Sequence, residues 1–499
     1  MPWPWTKSSP RRGSGPSSGS SRTSSRASGP RRPTISAIRG GYDAAATDRL
    51  LNDWTGSNDA DGWSSVTAFA DQAAVLRGRA RDLERNNDLV NRYLQLMVAN
   101  VVGPRGIRYQ ADVKQTDGSP DTGANEILEA SFAGWSVADN CSLDGRHSWA
   151  ELQAFILRRL LVDGEVFLRL VRGAPNDWGF ALEPLDADLC DEQLNRQASE
   201  GMAKIENGVE LDASRRAVAY HFFADESGYT RKHTRLPATN VIHLYMPRLA
   251  RDTRGVSPLA PVMRTIRMLD GYNFAKVVAA RVSAAKMGFF STPDGEYDGV
   301  GANTDGSTTM SAEPGELEVL PPDTTFLQWD PTWPQDDDAF VKGIKRSIAA
   351  GLGVSYCSLA SDLEGVNYSS IRQGELEQRD LYRVFQRLLV RKVCRRVHND
   401  WLLMAFTSGA VRLPISNIKK FRAARWQERG WQWVDPAKEI SAQADAFHLG
   451  VKSLSQIAAE TGQDLEEVFA QIQRDKELAA KYGIDIGAVA PQPQDIPDE

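Results

Sequence analysis

Apolar residues in the first half of the chain follow two different periods. Five of them recur close to the 3.6-residue period of a helix and predict one helix over about 72–99: Leu76, Leu83, Val90, Leu94 and Met97. Residues 149–161 carry a second helical pattern. Short apolar or alternating stretches predict strands at 107–111, 166–170, 180–182, 218–223 and 241–245. This half is therefore predicted to be α+β, because the regular βαβ alternation of a parallel sheet is missing.

The middle of the chain predicts one unusually long helix. Ser257-Pro258 is a favourable N-cap and first-turn pair, and no strong helix stop follows before about residue 287. A helix of about 30 residues would extend about 45 Å, whereas the usual globular helix has about 11–12 residues. Small side chains along its flank would let another helix pack closely: Ala275, Ala279, Ala280, Ala284 and Ala285.

A loop rich in Gly, Asp and Thr is predicted next, at 291–311. Four elements are predicted after it: strands at 317–320 and 325–329, and helices at 339–350 and 369–406. Asp435-Pro436 is an N-cap and first-turn pair, so short helices are predicted from there to about Lys481.

Composition narrows the class of protein only a little. The chain has 499 residues, 41% hydrophobic and 25% charged, as expected for a folded protein of several compact units. A net charge of −6 is not typical of a general nucleic-acid binder, although a protein that surrounds DNA stays possible. No apolar run reaches about 18 residues, so we expect no transmembrane helix. Four separated cysteines are expected to be buried free thiols in a reducing compartment: Cys141, Cys190, Cys357 and Cys394.

Residues 1–40 differ from the rest of the chain. They contain eleven Ser, six Pro, eight Lys or Arg and no acid. Such a segment cannot bury enough apolar surface to offset the entropy of ordering, so a disordered basic tail is expected. The alternative is a basic arm that contacts nucleic acid or a partner.

The sequence contains no motif that predicts an active site. The phosphate loop G-x-x-x-x-G-K-[ST] is absent, and Gly351-Leu352-Gly353 lacks the third glycine of a dinucleotide fingerprint. The six histidines are scattered, and His221 and His243 are expected to pack in strands with a satisfied hydrogen bond. Asp336-Asp337-Asp338 is best explained as the acidic first turn of a helix rather than a cation site. We expect a non-enzymatic protein with no catalytic residue, metal or cofactor.

The chain contains five short motifs, in a fixed order, that resemble motifs of the phage portal proteins of the lambda family. They are Val101–Gly103, Leu161–Val166, Arg254–Leu259, Ile348–Tyr356 together with Asn367–Arg372, and Trp433–Glu439. The resemblance covers about residues 40–480. It departs from the family pattern at Cys357, where an acidic residue is more usual.

The resemblance implies a portal fold, α+β with long stem helices and assembled as a ring. Its regions would be a disordered basic tail at 1–40, a mixed α/β wing at 41–256, a first stem helix at 257–290, a clip at 291–335, a returning stem helix at 336–354, a tunnel loop at 355–368, a long helix and wing return at 369–430, and a helical crown with the C-terminal tail at 431–499.

By the same resemblance, the protein would be a structural subunit of a ring, typically of twelve copies. The ring would sit at one capsid vertex of the virion, after assembly in the host cytoplasm, and double-stranded DNA would enter and leave through it without sequence-specific contact. Expected partners are terminase, which supplies ATP hydrolysis, the head-tail connector proteins, and capsid and scaffold proteins. No membrane partner is expected.

Two sets of residues are candidates for contacts in the channel. The tunnel loop would project towards DNA and is expected to be mobile because it is small, polar and poor in apolar anchors: Ser361, Asp362, Glu364, Gly365 and Asn367. A basic helix follows, whose arginines would meet phosphates or pair with acids of the neighbouring subunit, the second being favoured: Arg372, Arg379, Arg383 and Arg387.

Two other functions stay open from the sequence alone. A nucleic-acid-processing packaging enzyme would need clustered carboxylates for metal ions, and no convincing set is present. Another connector or capsid subunit is a further alternative. The long helix followed by a compact loop and a returning helix favours the portal over both.

Overall fold

The computed structural model describes residues 66–200, 202–224, 232–284, 288–291, 325–328, 337–364, 368–431, 436–460 and 464–483. The single helix predicted over 72–99 is wrong, because the chain forms α1 (Val66–Asn86) and α2 (Asp88–Val101). Asn87 between them is extended, and its side-chain oxygen accepts the N–H of Val90. Asparagine often breaks a helix in this way, since its side chain competes for backbone donors.

The elements from Val66 to Tyr245, which we call the wing after the region predicted there, pack together with later helices around one large apolar core. After α2 come β1 (Arg108–Ala111), α3 (Thr122–Trp135), α4 (Ala138–Cys141) and α5 (Trp149–Asp163). Helix α5 agrees with its prediction and starts with a capping box, in which Ser148 and Glu151 satisfy each other's backbone N–H. Helices α3 and α4 were not predicted, because their apolar pattern is short and interrupted by small residues.

Two antiparallel sheets complete the wing. The strands are β2 (Glu165–Arg172), β3 (Phe180–Leu185), β4 (Lys204–Glu206), β5 (Val209–Leu211), β6 (Ala217–Phe223), β7 (His233–Pro237) and β8 (Val241–Tyr245). Three strands pair in the order β3-β2-β8 and four in the order β4-β5-β6-β7. The predicted strands at 166–170, 180–182, 218–223 and 241–245 are confirmed within these bounds. The short strands β4, β5 and β7 carry too few residues for a detectable alternation.

The long helix is α6 (Ala260–Ala284), and the returning helix is α7 (Asp337–Leu352). Between them, β9 (Gly288–Ser291) pairs antiparallel with β10 (Thr325–Gln328). The strand predicted at 325–329 is confirmed, whereas β9 falls inside the range assigned to the first stem helix. The predicted strand at 317–320 and the loop at 291–311, except Ser291, lie outside the described residues, as do most of the clip and the tail at 1–40.

A series of helical segments follows α7. It consists of α8 (Tyr356–Ala360), α9 (Tyr368–Leu389), a π-helical turn (Val390–Cys394) and α10 (Arg395–Ser408). Then come α11 (Ile418–Phe421), β11 (Ala424–Gln427), α12 (Pro436–His448), α13 (Leu454–Glu460) and α14 (Leu465–Lys481). Strand β11 pairs antiparallel with β1, which joins residues more than 300 positions apart. The predicted helix at 369–406 is confirmed, as are the C-terminal helices to about Lys481.

An aromatic cluster lies at the centre of the core, between α3, β1 and α10. Its rings are Tyr109, Phe132, Trp135, His398, Trp401 and Trp426. Cys141, Cys190 and Cys394 are buried free thiols, as predicted, but Cys357 is only partly buried because it lies on the short helix α8.

Candidate functional site

Helices α6 and α7 pack against each other, and we call this pair the stem after the region predicted there. Asp337, in the first turn of α7, contacts both the hydroxyl of Tyr272 and the ammonium of Lys276 on α6. Near the other end, a side chain at Gly351 would come 2.4 Å from Val262 Cγ1, so the helices approach closely there. The acidic first turn was therefore interpreted correctly for Asp337 and Asp338, and Asp337 also ties the two stem helices together.

The start of the stem is fixed to the wing by buried charges. The guanidinium of Arg254 is fully buried and bidentate to Glu165, with contacts of 2.6 and 2.8 Å. It also donates to the backbone oxygens of Asn207 (2.8 Å), Cys190 and Ala187 (both 3.2 Å). We call the side chains that meet here the junction cluster: Arg77, Glu165, Glu192, His243 and Arg254.

Ionisation in the junction cluster follows from burial and pairing. Burial alone would raise the pKa of Glu165, but Arg254 and the hydrogen bond from His243 hold it well below its ordinary value. Burial lowers the pKa of His243, so its neutral ring donates from Nε2 to Glu165 over 3.0 Å. His243 is thus a packed histidine with a satisfied hydrogen bond, as is His221, which contacts Glu210 at 3.2 Å.

Two glycines let the wing and the stem approach at this junction. Gly164 ends α5 with a left-handed φ of 87°, and a Cβ there would lie 2.3 Å from the backbone carbon of Val256. A Cβ on Gly255 would lie 2.2 Å from the oxygen of Gly164. Ser257 donates from Oγ to the oxygen of Leu161 (2.9 Å) and accepts the N–H of Leu259, so it caps the approach to α6. Two of the short motifs that carry the family resemblance, 161–166 and 254–259, therefore pack directly on each other.

The predicted tunnel loop is more structured at its base than we expected. Residues 356–360 form α8, which Ser355 caps and the buried Leu359 anchors, so the expectation of few apolar anchors is wrong there. Ser361 ends α8 with φ 54°. Gly365 and Asn367 lie outside the described residues.

Lys342 of α7 holds the first residues of this loop. Its ammonium lies 3.2 Å from Glu364, 4.0 Å from Asp362 and 2.9 Å from Asp338. The hydroxyl of Tyr356 donates to Asp362 over 2.6 Å, which lowers the pKa of that carboxyl. We call this set, which is exposed at Asp338 and Glu364 and half-buried elsewhere, the loop cluster: Asp338, Lys342, Tyr356, Asp362 and Glu364.

The candidate arginines lie along α9. Arg379 and Arg383 are 5.9 and 5.7 Å from the ring centre of Trp431 and also pair with Glu375 (3.6 Å) and Asp380 (2.9 Å) of their own helix. Arg387 lines a cleft of about 790 Å³ beside Glu428, and Arg372 is exposed near the start of α9. Contact with DNA or a neighbouring subunit stays a prediction for all four.

Sequence reasoning missed the junction cluster. Glu165 and Arg254 lie inside two of the short motifs, but nothing in the sequence indicated that residues 89 positions apart would contact each other. Arg77 lies between the periodic apolar residues of the predicted first helix, and no pattern in the sequence indicates that it is buried. Across the parts of the chain that the structure describes, three or more His, Cys, Asp or Glu side chains never gather into a group that could hold a metal ion. No described helix is both long and apolar enough to cross a membrane.

The described residues thus form a helix pair, α6 and α7, that buried charges hold against a region of mixed helices and strands. The sequence model of the phage portal protein, lambda family, matches residues 47–386. A probable portal protein of Halomonas phage phiHAP-1 is 31% identical over 456 residues, which cover 89% of this chain and 87% of that protein. The chain therefore belongs to the lambda family of phage portal proteins, and it is a capsid portal subunit for DNA packaging.

More distant proteins show the same similarity. The portal protein of Escherichia phage N15 is 22% identical over 83% of this chain and 87% of its own length. Portal protein B of Escherichia phage lambda is 25% identical over 54% of this chain and 57% of its own. A chain in a solved structure of the neck of a native GTA particle covers 77% of this chain and 93% of its own length at 14% identity, with a TM-score of 0.43.

Proposed function

We propose that twelve copies of this chain form a closed ring at one capsid vertex, with a central channel for double-stranded DNA. Terminase would dock on the ring during packaging, head-tail connector proteins would replace it afterwards, and DNA would leave by the same channel at ejection. Capsid and scaffold proteins would receive the ring during assembly in the host cytoplasm.

The stem is the observation that carries this proposal. Helices α6 and α7 are joined by Asp337, and the junction cluster fixes the start of α6 to the wing. Because the helix pair is held at Asp337 and at the junction cluster, it can transmit force along its axis without bending where α6 begins. This is what a packaging channel requires, because a separate motor pushes DNA past it.

We assign the regions of the chain by the same reasoning. The wing is 41–256, the first stem helix 257–290, the clip 291–335 and the returning stem helix 336–354. The tunnel loop is 355–368, with α8 as its base, and 369–430 returns through the wing to a crown at 431–499. The support is the order of the elements along the chain, together with the family membership.

Electron microscopy of the purified full chain in negative stain tests the ring. We expect rings with a central hole, and a chain that stays monomeric at high concentration would contradict the proposal. Two neighbouring alanines of α6 separate assembly from folding. Ala279 is only 6% exposed, so Ala279→Leu should destabilise the monomer. Ala280 is exposed, so Ala280→Leu should leave the monomer intact and can disturb only contacts between subunits.

A further inference from the structure

Two stretches of the chain carry opposite and unmixed charge. Residues 381–399 contain six Lys or Arg and no acid, and residues 115–145 contain six Asp or Glu and no Lys or Arg. Each stretch is helical over much of its length in the structure: the first spans the end of α9, the π-helical turn and the start of α10, and the second contains α3 and α4. Stretches of this kind attract each other over distances near the Debye length, about 8–10 Å.

The basic stretch exposes most of its charge. Arg387, Arg391, Lys392 and Arg395 are all exposed, and the last three form no ion pair with any residue that the structure describes. Arg387 faces Glu428, while Arg383 and Arg396 pair with acids of their own helices. The π-helical turn lies in the middle of this group, and such turns are frequent at functional sites.

The acidic stretch also exposes charged side chains. Glu126 on α3 and Asp139 on α4 are exposed. Apolar side chains accompany them, with Ile127 42% and Val137 49% exposed. The basic stretch has the same companions, because Val384 and Leu403 nearby are 59% and 41% exposed. Apolar side chains do not pack favourably against the charged phosphates of DNA. Both faces are therefore better suited to bind a protein surface than DNA.

The two faces point away from each other in one chain. The buried side of α3 carries Phe132 and Trp135, and the buried side of α10 carries His398 and Trp401. The ring centres of Phe132 and Trp401 are 4.9 Å apart, so these buried sides meet in the aromatic cluster. The exposed sides therefore cannot pair within the molecule, but they can pair between copies arranged head to tail, which is how closed rings form.

We propose that the basic face of one subunit, Arg387, Arg391, Lys392 and Arg395 with Val384, binds the acidic face of the next, Glu126 and Asp139 with Ile127 and Val137. This inference rests on the proposed ring and names two surfaces that close it. The contact is heterologous, so each subunit uses one face towards each neighbour.

Charge reversal on each face tests the contact. We expect R391E/R395E and E126R/D139R each to lower the fraction of ring, in sedimentation velocity of the full chain, by about tenfold or more, since like charges across an interface strongly disfavour association. Circular dichroism and the unfolding midpoint should stay as in the wild type, because all four side chains are exposed. A matched control, R216E/R251E, reverses two exposed arginines elsewhere in the wing and should assemble normally.

Mixing the two variants gives the sharpest result. In an equimolar mixture every interface can be either two native faces or two reversed faces, so alternating mixed rings should form, although neither variant assembles alone. Normal rings from each variant alone, or failure of the mixture, would overturn the inference while leaving the wild-type ring in place. Variants that assemble normally but elute from immobilised DNA at lower salt would also overturn it, in favour of a DNA contact. A monomeric wild type would remove the proposed ring and this inference together.

Discussion

The junction cluster and the loop cluster are both networks of charged side chains beside the stem, and they differ in burial. In the junction cluster, Arg254 and Glu165 have no exposed surface, and their contacts include backbone oxygens. In the loop cluster, Asp338 and Glu364 are about 80% exposed around Lys342. Ion pairs in water are weak and exchangeable, whereas a buried charge without its partner is very costly. One network therefore fixes geometry, and the other can open at little cost.

Removing Arg254 should lower the free energy of unfolding more than any other change to the two clusters. Arg254→Ala leaves Glu165 buried without its main partner, and we expect the free energy of unfolding to fall by about 3–5 kcal/mol. Denaturant unfolding measures it. Arg169→Ala is the control, because that arginine pairs with Glu183 at 2.9 Å where both side chains are partly exposed, and its loss should cost about 1 kcal/mol or less. Equal costs for the two variants would contradict the distinction.

Gly164→Ala tests the same junction through the backbone. A left-handed φ costs a side chain about 1–2 kcal/mol, and collision with the backbone of Val256 adds to it, so about 2–5 kcal/mol is expected. Gly173→Ala separates the two causes. Gly173 has a similar φ of 81° but open space around its Cβ position, so only the conformational cost should appear in the unfolding midpoint.

These residues also show which features of the fold the sequence could predict. The returning α7 and the strands of the three-stranded sheet follow from local periodicity, and the long helix α6 follows from its N-cap pair and the absence of a helix stop. The pairing of Arg254 with Glu165 and of β1 with β11 is set by contacts between distant positions, so no local pattern could predict them. The break at Asn87 was missed for a third reason, because its apolar neighbours keep the helical period on both sides.

His398 provides a test of burial without pairing. Burial lowers its pKa to about 3, and Nε2 has no hydrogen-bond partner among the described residues. An unfolded histidine takes up a proton near pH 6.5, so the neutral ring favours folding fully above that pH and progressively less as the pH falls towards 3. From pH 7 to pH 4.5 the wild type should lose about 2–3 kcal/mol through this group.

His398→Phe should remove that part of the pH dependence, measured as unfolding midpoints at pH 7 and pH 4.5. His448→Gln, at an exposed position, is the control and should keep the wild-type slope. An unchanged slope in His398→Phe would mean that other groups, such as the buried His243, whose pKa burial also lowers, account for the loss of stability between pH 7 and pH 4.5.

The smallest expected effect on stability is at Lys342, and it bears most directly on the loop. Lys342→Met removes contacts of 2.9–4.0 Å to three carboxylates, two of which are about 80% exposed, so the free energy of unfolding should hardly change. Hydrogen exchange at 361–364 should nevertheless accelerate, because only Tyr356 then holds Asp362. Lys419→Met, on α11, is the control and should leave that exchange unchanged. If exchange also stays slow in Lys342→Met, Tyr356 alone fixes the base of the loop, and the loop cluster is not the part that opens.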